Sequence, residues 1–207
     1  MITIADIEAA RERIAPWIRR TPVMEADRPR EALPVSGNVV LKLELHQVTG
    51  SFKARGAMNR LLGAPDGVPA AGIVTASGGN HGLAVARTAR VAGVPAAIYV
   101  PETVSPAKVE KMRAWNADVR VVGAEWMVSN QAALAYARDT GAAYFHPFAD
   151  PLVVAGQGTL GLELIEQVGD MDTVVVAVGG GGLVSGLSKA VKAMRPGVRV
   201  VAVEPEG

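Results

Sequence analysis

The sequence predicts an α/β fold built on parallel sheet, and three observations carry that prediction. From residue 73 onward, short apolar runs alternate with helical stretches, which brings successive strands into parallel pairing with helices laid over them. Most of those runs are apolar at every position, as strands covered on both faces require. Hydrophobic residues make up 49% of the 207 and charged residues 20%, enough apolar material for a real core and too little charge for disorder.

Taken in order, residues 5–19 place Ile7, Ala10, Ile14 and Ile18 at helical spacing. Thr3 and Asp6 suit the start of that helix, and Pro16 must bend or end it. Thr21-Pro22 opens an extended piece, and 39–44 reads as a buried strand. A helix over 52–62 follows, stopped by Gly63 and Pro65. Strands are then expected at 73–76, 96–100, 119–122, 143–145, 173–178 and 198–203. Helices are expected between them at 80–92, 106–115, 126–140, 152–168 and 183–194. The chain stops at Glu204-Pro205-Glu206-Gly207, just after a strand, where a wound sheet normally continues; it reads as truncated.

Composition removes several function classes. Lys and Arg total 21 against 20 Asp and Glu, so a net charge of +1 makes no electrostatic case for nucleic acid or an anionic membrane. The absence of cysteine excludes disulfides and thiolate metal sites. His46, His81 and His146 are far apart in sequence and suggest no metal cluster. No apolar run approaches the roughly 18 residues of a membrane span, and the N-terminus lacks a signal peptide's apolar stretch. A soluble cytoplasmic protein is expected.

The chemistry concentrates at a lysine and two glycine loops. Gly50-Ser51-Phe52-Lys53 sets a lysine in a tight turn between an apolar strand and a helix, where its amine is placed for a covalent bond rather than a salt bridge. Gly179-Gly180-Gly181-Gly182 lies between a strand and a helix, so its N–H groups can approach an anion at the positive end of that helix. A plain turn needs one glycine, and four favour phosphate binding. Leu187 stands where a Walker loop would need lysine, which excludes that motif. Ser77-Gly78-Gly79-Asn80-His81-Gly82 can hold a carboxylate or a ring hydroxyl, although Ser77 or Asn80 as a simple helix cap explains the loop alone equally well. Gly156-Gln157-Gly158-Thr159-Leu160-Gly161 matches a dinucleotide fingerprint but lacks the acidic residue about 20 positions on, and is treated as a decoy. Ser105-Pro106-Ala107-Lys108 has an acyl-enzyme spacing but fits an N-cap serine followed by proline better.

In this order, the stretches Glu44 to Arg55, Ser77 to Gly82, His146 to Pro151, Ala155 to Leu160, Gly179 to Leu183 and Ala202 to Pro205 resemble the serine/threonine dehydratase branch of fold-type II pyridoxal-phosphate enzymes. The resemblance implies two α/β lobes of parallel twisted sheet flanked by helices, as in the tryptophan synthase β chain. Residues 1–73 and 150–207 would form the large cofactor domain and 74–149 the small one. It implies pyridoxal 5'-phosphate with Lys53 as Schiff-base lysine, Phe52 against the ring, Asn80 on the ring 3'-oxygen and Gly179, Gly180, Gly181, Gly182 and Leu183 on the phosphate. Ser77, Gly78, Gly79, Asn80 and His81 would grip the substrate carboxylate. The implied reaction is deamination of L-serine or L-threonine to a 2-oxo acid and ammonia, in a homodimer. Serine racemases of this family carry a serine acid/base at the position of Gly78, so elimination is favoured here over racemisation. Phe148, where the racemase-like pattern has asparagine, points the same way. Some relatives hold a divalent cation, whose site with Glu204 would be incomplete in this sequence.

Overall fold

The computed structural model describes residues 1–27, 30–31 and 37–206, and within them the α/β expectation is met. Helix α1 (Ile4–Ile14) opens on a capping box, with Asp6 N donating to Thr3 Oγ1 at 3.3 Å and Thr3 N to Asp6 Oδ2 at 2.7 Å. It ends at Ile14, short of the expected residue 19. Ala15 N still donates to Arg11 O at 3.1 Å, but Pro16 has no N–H to continue the ladder.

Strands β1 (Val23–Glu25) and β2 (Val40–Lys42) form an antiparallel pair. The buried strand expected over 39–44 is corrected here. It spans three residues, Leu41 is 42% exposed, and Glu44–His46 form a 3-10 turn. Arg55 on α2 (Lys53–Leu62) binds both Glu44 carboxylate oxygens, at 2.7 and 2.8 Å, and holds this turn against the helix.

The middle of the chain follows the expected alternation: β3 (Ile73–Ala76), α3 (Asn80–Ala92), β4 (Ala96–Val100), α4 (Pro106–Arg113), β5 (Asp118–Val121), α5 (Trp126–Thr140) and β6 (Ala143–Tyr144). The four strands are parallel in the order β5-β4-β3-β6. Val85 and Met112 of α3 and α4 pack with Ile98 on one face, joined by Met58 and Leu61 of α2. Ala133 of α5 packs with Val74 and Tyr99 on the other face. Every residue of β3 and β4 is therefore buried. The chain moves outward from β3 to β5, then returns through α5 to the opposite side of β3. In open α/β sheets, ligands bind beyond the carboxyl ends of strands at such a reversal, here the ends of β3 and β6.

The chain closes with α6 (Pro151–Gln167), β7 (Thr173–Ala177), α7 (Gly182–Met194) and β8 (Arg199–Val203), β7 and β8 being parallel. The dinucleotide-like glycines lie inside α6, not at a strand end. A methyl group would stand 2.7 Å from Arg55 O at Gly156, 2.7 Å from Ile7 Cδ1 at Gly158 and 2.9 Å from Ala190 Cβ at Gly161. Those glycines let α2, α1 and α7 approach α6, a packing role that leaves no turn for a nucleotide. Coverage on both faces, expected of most strands, is not seen at β7 and β8. Val174 and Val176 pack with Leu164, Leu187 and Val191, whereas Val175 is 68% exposed. No helix among the described residues is long and apolar enough to cross a membrane.

Candidate active site

Lys53 is the first residue of α2, reached through a turn at Gly50 whose φ of +75° would strain any side chain there. Its Nζ lies 5.3 Å from the Phe52 ring centroid and donates to Pro147 O at 2.7 Å. Among the described residues no carboxylate pairs with it, and burial pushes its ammonium below the ordinary lysine range. Lys42 is built the opposite way, with Nζ 2.5 Å from Glu163 Oε2 and 2.7 Å from Gln167 Oε1. Burial lowers the basicity of both lysines, but Lys42 is tied to a carboxylate and half-buried Lys53 to a backbone carbonyl.

Beneath Lys53, Arg55 is wholly buried between Glu44 and Glu163. Burial works to raise the Glu163 carboxyl, but its bonds to Arg55 and Lys42 outweigh that and hold it below its usual range. Two cations and two carboxylates thus lock β2, the Glu44 turn, α2 and α6 together behind the lysine. Thr49 Oγ1 and Ser51 Oγ, in the turn that delivers Lys53, are buried with no protein partner.

The segment after β6, named from the sequence only as part of the family resemblance, is the hub of the site. Phe145 O accepts from Thr75 Oγ1 at 2.7 Å and from His81 Nε2 at 3.1 Å, which ties the ends of β6, β3 and α3 together. His146 Nδ1 accepts from Phe148 N at 3.2 Å and Ala149 N at 2.8 Å, folding a tight turn. Asp150 caps α6 through Leu152 N and Val153 N and also accepts from Arg60 Nε at 2.7 Å. Pro147 O, held between these anchors, receives Lys53. The sequence marked this segment only through the His146 to Pro151 resemblance and Phe148, without the contacts that Pro147 O and Phe148 make.

The loop from Ser77 to His81 follows β3 as expected. Gly79 caps α3 with its carbonyl on Leu83 N at 3.2 Å, so the N–H groups of Asn80, His81 and Gly82 are outside the helix ladder. Asn80 is exposed, and Gly79 N donates to Ser77 Oγ at 3.3 Å. The His81 side chain does not face this opening. It is 3% exposed, with Nε2 donating to the Phe145 carbonyl and Nδ1 unpartnered, and burial pushes its pKa down to about 3. Only its backbone N–H is on offer to a ligand.

The tetraglycine turn joins β7 to α7. Gly181 caps the helix at φ +82°, and Ser185 N returns to Gly181 O at 3.0 Å, so the N–H groups of Gly182, Leu183 and Val184 remain outside the ladder. Side chains added at Gly179 or Gly181 would meet open space, whereas one at Gly180 would overlap the Phe148 ring. Phe52, Leu183 and Val184 share an apolar cluster with Leu160 and Leu187. Lys53 and the glycine turn therefore meet on one short segment: the amine on Pro147 O and the turn against Phe148. An amine of lowered basicity, orphaned hydroxyls at its turn and two helix N-termini with open glycines fit an aldehyde carrying a phosphate.

Residues 14–207 match the family described as pyridoxal-phosphate dependent enzyme. The chain belongs to that family. It is 39% identical over 206 residues to the catabolic L-threonine dehydratase TdcB of Staphylococcus aureus strain USA300, covering all of this chain and 59% of that protein. Among solved structures it resembles the T.th. threonine deaminase (41% identity, TM-score 0.90, 99% of this chain and 65% of the other). It also resembles maize serine racemase (36% identity, TM-score 0.91, 99% and 62%). The chain thus spans about three fifths of the length of these relatives and shares their α/β fold.

Proposed function

We propose that the protein is a pyridoxal-phosphate-dependent ammonia-lyase that converts L-threonine or L-serine to a 2-oxo acid and ammonia. The observation that carries this reading is Lys53, an amine of depressed basicity with no carboxylate partner among the described residues, whose Pro147 anchor adjoins the glycine turn. The likeness to a threonine dehydratase and a threonine deaminase selects the substrate class.

Lys53 would hold the cofactor, with Phe52 beside it and Asn80 at the ring oxygen. Gly179, Gly180, Gly181, Gly182 and Leu183 would receive the phosphate. When bound, pyridoxal phosphate supplies an aldehyde for the lysine and a conjugated ring that accepts the electron pair left by a departing α-proton. Ser77, Gly78, Gly79, Asn80 and the His81 N–H orient the substrate carboxylate at the start of α3, where the helix dipole favours an anion. The Lys53 amine, its basicity lowered by burial, takes the α-proton. The β-hydroxyl leaves as water, and water returned in hydrolysis releases ammonia. The site sits on the seam of the proposed domains: Lys53 and 179–183 come from 1–73 and 150–207, the carboxylate loop and Pro147 from 74–149. A cytoplasmic homodimer belongs to the same proposal.

Position 78 favours elimination. Glycine there carries no proton, and a Cβ would lie 2.6 Å from Val104 Cγ2 and 3.2 Å from Val104 Cβ. Gly78→Ser alone must therefore displace Val104, and Gly78→Ser with Val104→Ala is the fair test. With L-serine the double variant should raise racemisation relative to 2-oxo acid release, and an unchanged product ratio would remove the argument from position 78 for elimination over racemisation.

A further inference from the structure

The carboxylate loop has a support that neither its own residues nor the glycine turn provides. Ser129 Oγ donates to Val122 O at 2.7 Å, pinning the first turn of α5 to the end of β5. Trp126, the first residue of α5, reaches from there to the carboxyl edge of the sheet, where its Nε1 donates to Ala76 O at 2.9 Å. Ala76 is the last residue of β3, fully buried, and Ser77 follows it directly. The indole N–H can only donate and the carbonyl only accept, so the bond has a single sense. Trp126 keeps 43% of its surface exposed, more than a tryptophan serving only as core filler would.

The opposite flank of the loop is held as well. Val104 stands against Gly78, and the turn carrying it is closed by Val104 N on Pro101 O at 3.1 Å. Glu102 N donates to Gly123 O at 2.8 Å, which joins this turn to the one that leads into Trp126. The start of the 77–81 loop is thus gripped from both sides by two turns that are bonded to each other.

We infer that Trp126 is a positioning residue: its indole N–H sets the end of β3 and thereby the aim of the N–H groups that receive the substrate carboxylate. The affinity half of this inference rests on the carboxylate reading above, whereas the loop half does not. Trp126→Phe keeps the ring and deletes the donor. In the full-length protein loaded with pyridoxal 5'-phosphate, this variant should show about fivefold faster amide exchange in the 76–82 peptide and about fivefold higher KM for L-serine, with kcat within about twofold. The imine absorbance of Lys53 should not change. Unaltered exchange overturns the inference, and so does a loss that falls on kcat and imine absorbance while KM stays put. If the unsubstituted protein shows no imine absorbance, the ammonia-lyase reading fails, and the exchange measurement still decides the role of Trp126. Should Trp126→Phe not fold, the indole N–H of the unsubstituted protein serves instead. Saturation with L-serine should shift its nitrogen-15 signal, and an unmoved signal overturns the inference.

Discussion

Replacing Glu163 with alanine should cost about 3–5 kcal/mol of folding stability. The figure follows from the charges left behind. Arg55, wholly buried, donates to Glu163 at 2.6 and 3.0 Å and to Glu44 at 2.7 and 2.8 Å, while Lys42 donates to Glu163 at 2.5 Å. Two cations balance two carboxylates. Removing Glu163 leaves Lys42 without a carboxylate and Arg55, which cannot lose its proton, with Glu44 alone. Glu166 is the control, since it pairs with Arg11 and Arg20 at 2.8 and 3.0 Å but is 47% exposed. Glu166→Ala should cost about 0–1 kcal/mol because solvent screens the pair. Urea denaturation reads both: the Glu163→Ala midpoint should fall by roughly 2 M at unchanged slope. Adding Lys42→Met returns the cluster to one cation and one carboxylate and should recover part of the loss. A Glu163→Ala midpoint no lower than that of Glu166→Ala would refute the charge argument.

Other outcomes are equally direct. Gly180→Ala should cost about 1–3 kcal/mol through overlap with Phe148, and Phe148→Ala should relieve it, so strictly additive thermal shifts would contradict the contact. His81 has its folded-state pKa depressed to about 3, so as pH falls below 6.5 the unfolded chain takes the proton first. Its contribution to stability is complete above pH 6.5 and is lost progressively toward pH 3, at up to about 1.4 kcal/mol per unit. His81→Gln should flatten this acid slope in urea titrations, and equal slopes would place the effect elsewhere.

What was legible in the sequence was local. The helices at 80–92 and 126–140 and the strands at 73–76 and 96–100 match their expected bounds, because periodicity and flanking glycines act within a few residues. Lys53 and the tetraglycine turn stood out by composition, and the failed fingerprint at 156–161 proved to be helix packing. What escaped depends on partners far along the chain. Glu44, placed in a strand by the sequence, sits in a 3-10 turn bonded to Arg55, which is itself held by Glu163 over a hundred residues on. Pro147 O and Phe148 join the lysine to the turn from more than 90 residues beyond Lys53. The apolar run 174–178 reads as buried on both faces, whereas Val175 is exposed within these 207 residues.

The central claim is that the Lys53 amine meets a phosphate-bearing aldehyde held by the four-glycine turn. Incubation with pyridoxal 5'-phosphate, borohydride reduction and peptide mass spectrometry test it most directly. The expected result is a single stable adduct on Lys53, absent in Lys53→Ala along with 2-oxo acid release from L-serine and L-threonine. An adduct on other lysines only, or none while deamination persists in Lys53→Ala, would contradict the assignment.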